Sequence, residues 1–317
     1  MTALARTGRV RPTVVSFESV PLVGPPRLRG LQRAAIERSI EDTIRDGSMD
    51  PFAVMASVGP PGVATARLPF ASGAAPGRGP DHGSVSRSVA LLALGDRLTR
   101  AGRIPDLVHA HTGYPDGAAA AELAAALDRP LIITEHSSTV EQVLASPATR
   151  ERYEAAVARA ERIIAVSESL AAELRTGVAG LAPGSPIDLV VIPNAVPIEE
   201  FAGAVESERR PDELLFVGYR KPTKGIACLL RAFAQVRARR PAATLRLIGR
   251  SPTPEVEADW IALAAELGVS ETVRFEGPAD RAAVADALRR ASVFVHPSPR
   301  ETFGVVAVEA LAAGTPV

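Results

Sequence analysis

The chain has 317 residues, 46% apolar and 23% charged, a balance that excludes an intrinsically disordered chain and a coiled coil. Lys+Arg and Asp+Glu are 36 each, so the net charge is +0, and the electrostatic footprint of a general nucleic-acid binder is missing. A single cysteine, Cys228, rules out a disulfide framework within the chain and a Cys-based zinc site. No apolar run reaches the roughly 18 residues needed to span a bilayer, and the arginines near Met1 are not followed by the apolar stretch of a secretory signal. These features predict a soluble cytoplasmic protein. The length predicts two domains.

In chain order, short β-branched runs predict strands at 13–17, 53–57, 107–110, 131–134, 163–166 and 189–192, then at 213–217, 244–248, 273–276 and 293–296. Most are continuous apolar runs, the pattern of parallel strands buried on both faces. Residues 59–83, rich in Gly, Pro and Ala, read as a mobile surface loop. Helices are predicted at 116–127, 149–160, 224–239, 254–267, 279–291 and 305–313. The stretch 224–239 carries Ile226, Leu229, Leu230, Phe233 and Val236 at the spacing of one buried helical face. Strand–helix alternation predicts βαβ units. The polar stretch from Pro197 to Arg210 separates two such series and gives domains 1–198 and 199–317. After 305–313, Gly314 ends the helix and Thr315-Pro316-Val317 starts another strand, so the second domain reads as incomplete.

Ligands of open parallel sheets bind at the carboxyl ends of the strands, and polar residues gather there. His109 and His111 follow one strand, His136 another and His296 a third. The spacing is not a metal motif. For His109 and His296 the preferred reading is a satisfied, half-buried residue. For His111 and His136 a functional and a structural role both stand. Lysine occurs only at Lys221 and Lys224, inside Gly218-Tyr219-Arg220-Lys221-Pro222-Thr223-Lys224-Gly225. This basic glycine turn at a helix start is either a phosphate site, favoured by the helix dipole and free N–H groups, or a solvated turn. The Walker order is absent. Downstream, Glu301 precedes a helix and Glu309 lies within it. Phe303-Gly304-Val305 open that helix where a glycine lets a ligand approach the backbone. A lone carboxylate on an apolar helix is costly to bury unless it meets an opening or a partner. The alternative is a capping Glu301 and an exposed Glu309.

With these residues in place, the chain resembles the family 4 glycosyltransferases. Glu301 and Glu309 form the Glu-x7-Glu motif inside "HPSPRETFGVVAVEALAAGTPV". The phosphate loop is "FVGYRKPTKG", and "VIPNAV" marks the passage between domains. "AVSESLAAEL" and "LIITEHSS" match first-domain strand ends, and "HAHTGYPDG" is similar to the teichuronic-acid-type cell-surface polysaccharide enzymes. The resemblance implies an α/β fold of the GT-B type, two Rossmann-like domains facing across a cleft. It implies a nucleotide-diphosphate sugar as donor, a glycan, lipid-linked or small-molecule acceptor, and retention of configuration. No cofactor or metal is implied.

Position by position, Lys224 matches the diphosphate-binding lysine, with Gly218 and Arg220 as further donor ligands. Glu309 matches the ribose-binding glutamate and Glu301 the group that orients the donor sugar. Phe303, Gly304 and Val305 match the stretch whose backbone approaches the donor. His136 matches the histidine beside the transferred sugar. His111 and Gly24 fall on the acceptor side. Tyr219 stands where the family often has a cation. Peripheral contact with the inner face of a membrane fits a lipid-linked acceptor, although no basic amphipathic helix stands out. A sugar-nucleotide 2-epimerase on the same fold and an inactive truncated binding remnant are the alternatives. A nicotinamide enzyme is disfavoured because no Gly-x-Gly-x-x-Gly follows the first strand.

Overall fold

The computed structural model describes residues 10–21, 26–52, 63–72, 82–182, 184–203 and 209–317. Gly24 and the expected strand at 53–57 lie outside the described residues. The chain divides into two compact units, Met1–Ile192 and Pro193–Val317, the division falling a little ahead of residue 198. No helix among the described residues is long and apolar enough to cross a membrane.

In the first unit, β1 (Thr13–Pro21) and β2 (Ala64–Ser72) pair in parallel. Helices α1 (Pro26–Asp46) and α2 (His82–Arg100) pack on each other and on β2. Strand β2 corrects the reading of 59–83 as a loop. Ala66, Leu68 and Phe70 are buried at every second position, the period of a strand with one face in the core. Composition hid this because Gly and Pro crowd both flanks.

A second parallel sheet runs β3 (Val108–His111), β4 (Leu131–Glu135), β5 (Arg162–Ala165) and β6 (Asp188–Val191) in spatial order. Helices α3 (Ala118–Ala126), α4 (Val140–Ala145), α5 (Pro147–Arg159) and α6 (Glu168–Gly177) connect these strands. Helix α6 begins where the Ser167 side chain accepts the Leu170 N–H at 3.1 Å, an N-cap of the ordinary kind. The helix expected from Asp116 starts at Ala118 instead. Asp116 lies in a tight turn, Gly113–Gly117, and faces Arg87 at 3.1 Å rather than capping.

The second unit is one parallel sheet in the order β10 (Ala291–Phe294), β7 (Arg210–Val217), β8 (Thr244–Ile248), β9 (Val273–Glu276). Neighbouring residues of β7 feed opposite faces, as strand periodicity requires. Phe216 joins a cluster with Leu230 and Phe233 of α7 (Ile226–Arg239) and Trp260 of α8 (Pro254–Glu266). Leu215 joins Leu288 of α9 (Arg281–Arg290) and Ala310 of α10 (Val305–Ala312), with Phe201 and Phe294. Each fully buried Phe contributes about 1.5–3 kcal/mol. The outcome is helices on both faces, a doubly wound α/β unit. The Phe294 N–H donates to Pro316 O at 2.8 Å, so the chain after α10 runs beside β10.

Strand order decides where a ligand fits. Strands β7 and β10 are adjacent, yet β7 connects onward to β8 on its other side. The chain therefore leaves β7 and β10 towards opposite sides of the sheet, and the carboxyl ends of these two strands make the switch-point crevice where doubly wound sheets bind ligands.

Candidate functional site

Both sequence-selected loops of the second unit leave the sheet at that crevice. The Gly218 N–H donates to Ile248 O at 2.9 Å, and a Cβ on Gly249 would lie 2.0 Å from Gly218 O. The ends of β7 and β8 are thus in direct backbone contact. Beyond Gly218, Pro222–Lys224 make a short turn and Gly225 starts α7 at φ +74°. That left-handed residue moves the helix start past Lys224, which lies in the turn rather than in the helix as expected. A Cβ at Gly225 would come within 2.2 Å of Pro297 O. Only glycine allows the two loops to approach this closely.

This contact sets the chemistry. The Lys224 Nζ is ion-paired with Glu301 Oε1 across the two loops. His296 Nε2 lies 3.0 Å from the same oxygen. Burial works upward on the Glu301 carboxyl, but the hydrogen bond and charge of Lys224, with Ser298 and His296, outweigh it and hold the group below the usual glutamate range. His296 departs from expectation. It is not a satisfied core residue, because both ring nitrogens are buried and neither makes a hydrogen bond of proper geometry. Its place just after β10 was visible in the sequence; its orphaned nitrogens were not.

Helix α10 opens at Gly304, φ +74°, with Phe303 half-buried ahead of it and Val305 on the surface. Glu309 is not exposed. Its side chain is 13% accessible and lies 3.9 Å from Arg281. Burial raises its pKa above the usual value, Arg281 opposes the shift and Glu200 adds to it. Arg281 pairs with Glu200 at 2.6 Å and lies over the Phe201 ring.

Arg220, expected as a diphosphate ligand, is placed differently. Its side chain is 3% accessible and forms a forked pair with Glu257, Nη2 to Oε1 at 2.7 Å and Nε to Oε2 at 3.2 Å. Nη1 donates to the carbonyls of Leu247, Gly249 and Glu276. All five donors of a guanidinium are taken by the protein. The residue ties the ends of β8 and β9 to α8 and offers nothing to a phosphate. The sequence placed it in the loop but could not show which way it turns.

In the first unit, Val108 and Ala110 of β3 are buried and His109 and His111 occupy the opposite face. His111 Nδ1 is 2.9 Å from His136 Nε2, just past β4. His109 Nε2 is 2.8 Å from Thr134 Oγ1 and its ring stacks on His111. Beneath them Glu135 is fully buried and accepts the N–H groups of Gly113 and Ser137 and the Tyr153 hydroxyl, at 2.7–2.9 Å. Burial raises the pKa of Glu135. Thr112 sits between them at φ +76°, a strained conformation held by its N–H bond to Thr134 O at 2.7 Å.

Burial depresses the pKa of all three imidazoles, and a neighbouring imidazole lowers each further. The lowered values favour neutral rings at pH 7, and in the His111–His136 bond one nitrogen donates and the other accepts. With the folded pKa below 6.5, the stability these groups contribute is complete above about pH 6.5 and falls as pH drops through the folded values. Histidine C2–H resonances followed by NMR are expected to titrate below 6.5 for all three. A midpoint above 6.5 for His111 or His136 would contradict the neutral row. Among the described residues, no group of three or more His, Cys, Asp or Glu is placed to hold a metal ion.

The sequence matches two family descriptions in succession: "Glycosyltransferase Family 4" over residues 58–200 and "Glycosyl transferases group 1" over 198–317. It is 34% identical over 221 residues to a phosphatidyl-myo-inositol mannosyltransferase of Mycobacterium tuberculosis, covering 67% of this chain and 53% of that protein. It is 30% identical over 271 residues to a D-inositol 3-phosphate glycosyltransferase of Jonesia denitrificans, covering 77% and 63%. The chain thus spans a little over half the length of these relatives. Its fold matches a sucrose-phosphate synthase from Thermosynechococcus elongatus with TM-score 0.66 at 21% identity, covering 97% of this chain and 80% of that one. It also matches Anabaena HepE in complex with UDP and glucose, with TM-score 0.63 at 19% identity and the same coverages. The chain belongs to the family 4 glycosyltransferases, and each of its units has the Rossmann-like architecture of the GT-B fold.

Proposed function

We propose that the protein transfers a sugar from a nucleotide-diphosphate donor to a hydroxyl acceptor with retention of configuration. The observation that carries this reading is the meeting of Lys224 and Glu301 at the crevice between β7 and β10. A cation and a carboxylate side by side match the two ends of such a donor. The ammonium complements a diphosphate and the carboxylate accepts hydrogen bonds from sugar hydroxyls. Gly304 and the opening of α10 stand at the same edge, where backbone N–H groups favour an anion. Glu309 is read as the ribose ligand, its carboxylate accepting hydrogen bonds from the hydroxyls.

As the glycosidic bond breaks, negative charge grows on the leaving diphosphate. Preorganised positive charge is the main electrostatic aid to such a step, and Lys224 supplies it here. The neutral imidazoles His111 and His136 are read as the acceptor-side and catalytic groups of the first unit. The reading needs no resident metal. An inositol-bearing acceptor is the first to try, since the two relatives are named for phosphatidyl-myo-inositol and D-inositol 3-phosphate.

Calorimetric titration with UDP, GDP, ADP and dTDP tests the reading. Binding of at least one of them is expected, followed by transfer from the matching nucleotide sugar. A protein that binds none of these nucleotides would overturn it.

A further inference from the structure

Three groups converge on one carboxylate oxygen. Glu301 Oε1 is ion-paired to Lys224 and stands 3.0 Å from His296 Nε2. The arrangement is unequal. Lys224 makes the bond, while His296 has two buried nitrogens without hydrogen bonds. Leaving buried polar atoms unpaired is costly, and His296 cannot readily turn away to solvent. Its side chain is 18% accessible, and its ring stacks on Phe294, centroids 5.9 Å apart and planes 25° from parallel. Phe294 is itself fully buried. The imidazole is held beside a carboxylate that something else occupies.

The donor reading above, on which this inference rests, creates a conflict that such an imidazole resolves. Lys224 and Glu301 neutralise each other, yet the donor needs both, the ammonium for the diphosphate and the carboxylate for the sugar. When the ammonium turns to the phosphates, Glu301 is left half-buried without its counter-charge. We propose that His296 is a positioning residue that takes over Glu301 at that moment. Its Nε2–H donates to Oε1, a small rotation from the present geometry, and fixes the carboxylate with Oε2 directed to the donor-sugar hydroxyls. The site thereby exchanges one partner of Glu301 for another. It is closed by an internal ion pair when empty and holds Glu301 in place when loaded.

The role predicts an effect that depends on the sugar. A nucleoside diphosphate without a sugar draws Lys224 away but makes no use of the direction of Oε2, so its affinity depends on His296 less than that of a nucleotide sugar does. A nucleotide sugar does use Glu301. The experiment compares UDP and GDP with UDP-glucose and GDP-mannose by calorimetry on the whole chain, for wild type, His296→Leu and His296→Gln. The glutamine amide can donate to the same oxygen. His296→Leu is expected to weaken the nucleotide sugar by about tenfold, the worth of one hydrogen bond, and to weaken the nucleoside diphosphate clearly less. His296→Gln is expected to recover most of the loss.

Equal weakening of nucleotide and nucleotide sugar would reduce His296 to a packing residue and overturn the proposal. No weakening of the nucleotide sugar would also overturn it. An unchanged melting temperature of His296→Leu serves as the control that the unit is folded. Should wild type bind none of the nucleoside diphosphates tested, the donor reading fails first, and that outcome is distinct from either result above.

Discussion

Replacing Arg220 with methionine is expected to destabilise the second unit by about 3 kcal/mol, at the lower end of the cost of breaking a buried ion pair. Glu257 keeps partial access to solvent, 27%, which moderates the loss. The three carbonyls that Nη1 serves lose their shared donor as well. For a unit of this size the melting temperature should fall by roughly 10 °C. Arg220→Lys should recover little, because a point charge cannot reproduce the fork to Glu257 and the donation to the strand ends. Thermal unfolding by circular dichroism or calorimetry reads the effect. Were Arg220 a diphosphate ligand instead, the methionine variant would melt normally and lose nucleotide affinity alone.

Lys224→Ala is expected to show the opposite signature. Its pair with Glu301 is partly exposed, 22% and 24%, so stability should change by no more than about 1 kcal/mol. Binding should suffer far more. A charge-assisted hydrogen bond to a diphosphate is worth about 1.5–3 kcal/mol, so nucleotide affinity is expected to fall by roughly 10- to 150-fold. The Glu301 carboxyl, deprived of the ammonium that holds its pKa down, would move upward. A titration showing unchanged affinity would remove Lys224 from the site. Arg220 and Lys224 stand four positions apart in one loop, and the pair of variants separates structure from binding within it.

The two residues also show how far sequence reasoning reaches. Both are cations in a glycine turn after a strand, and nothing in their spacing tells them apart. Arg220 turns inward because Glu257, far along the chain on α8, meets it with a matching carboxylate, and because the carbonyls at the ends of β8 and β9 converge on Nη1. Strand β2 was missed for a related reason. Its alternation is clear from Ala66 to Phe70, but Gly and Pro on either side dominate the local composition. His296 was misread because its neighbours in sequence are apolar, while its partner Glu301 reaches it through a loop whose path depends on Gly225 yielding to Pro297.

By itself the sequence determined the alternating α/β class, the parallel strands of both series, the glycosyltransferase family and the loops that carry the polar residues. Those features follow from local periodicity and from short-range motifs, which a chain states in its own order. Only the tertiary structure decided which of those residues meet. It made β7 and β10 neighbours, pressed Gly225 against Pro297, joined Lys224 to Glu301, buried Arg220 and left His296 waiting beside an occupied carboxylate. Contacts between residues far apart in the chain depend on strand order and on backbone approach, and neither is written in any single segment.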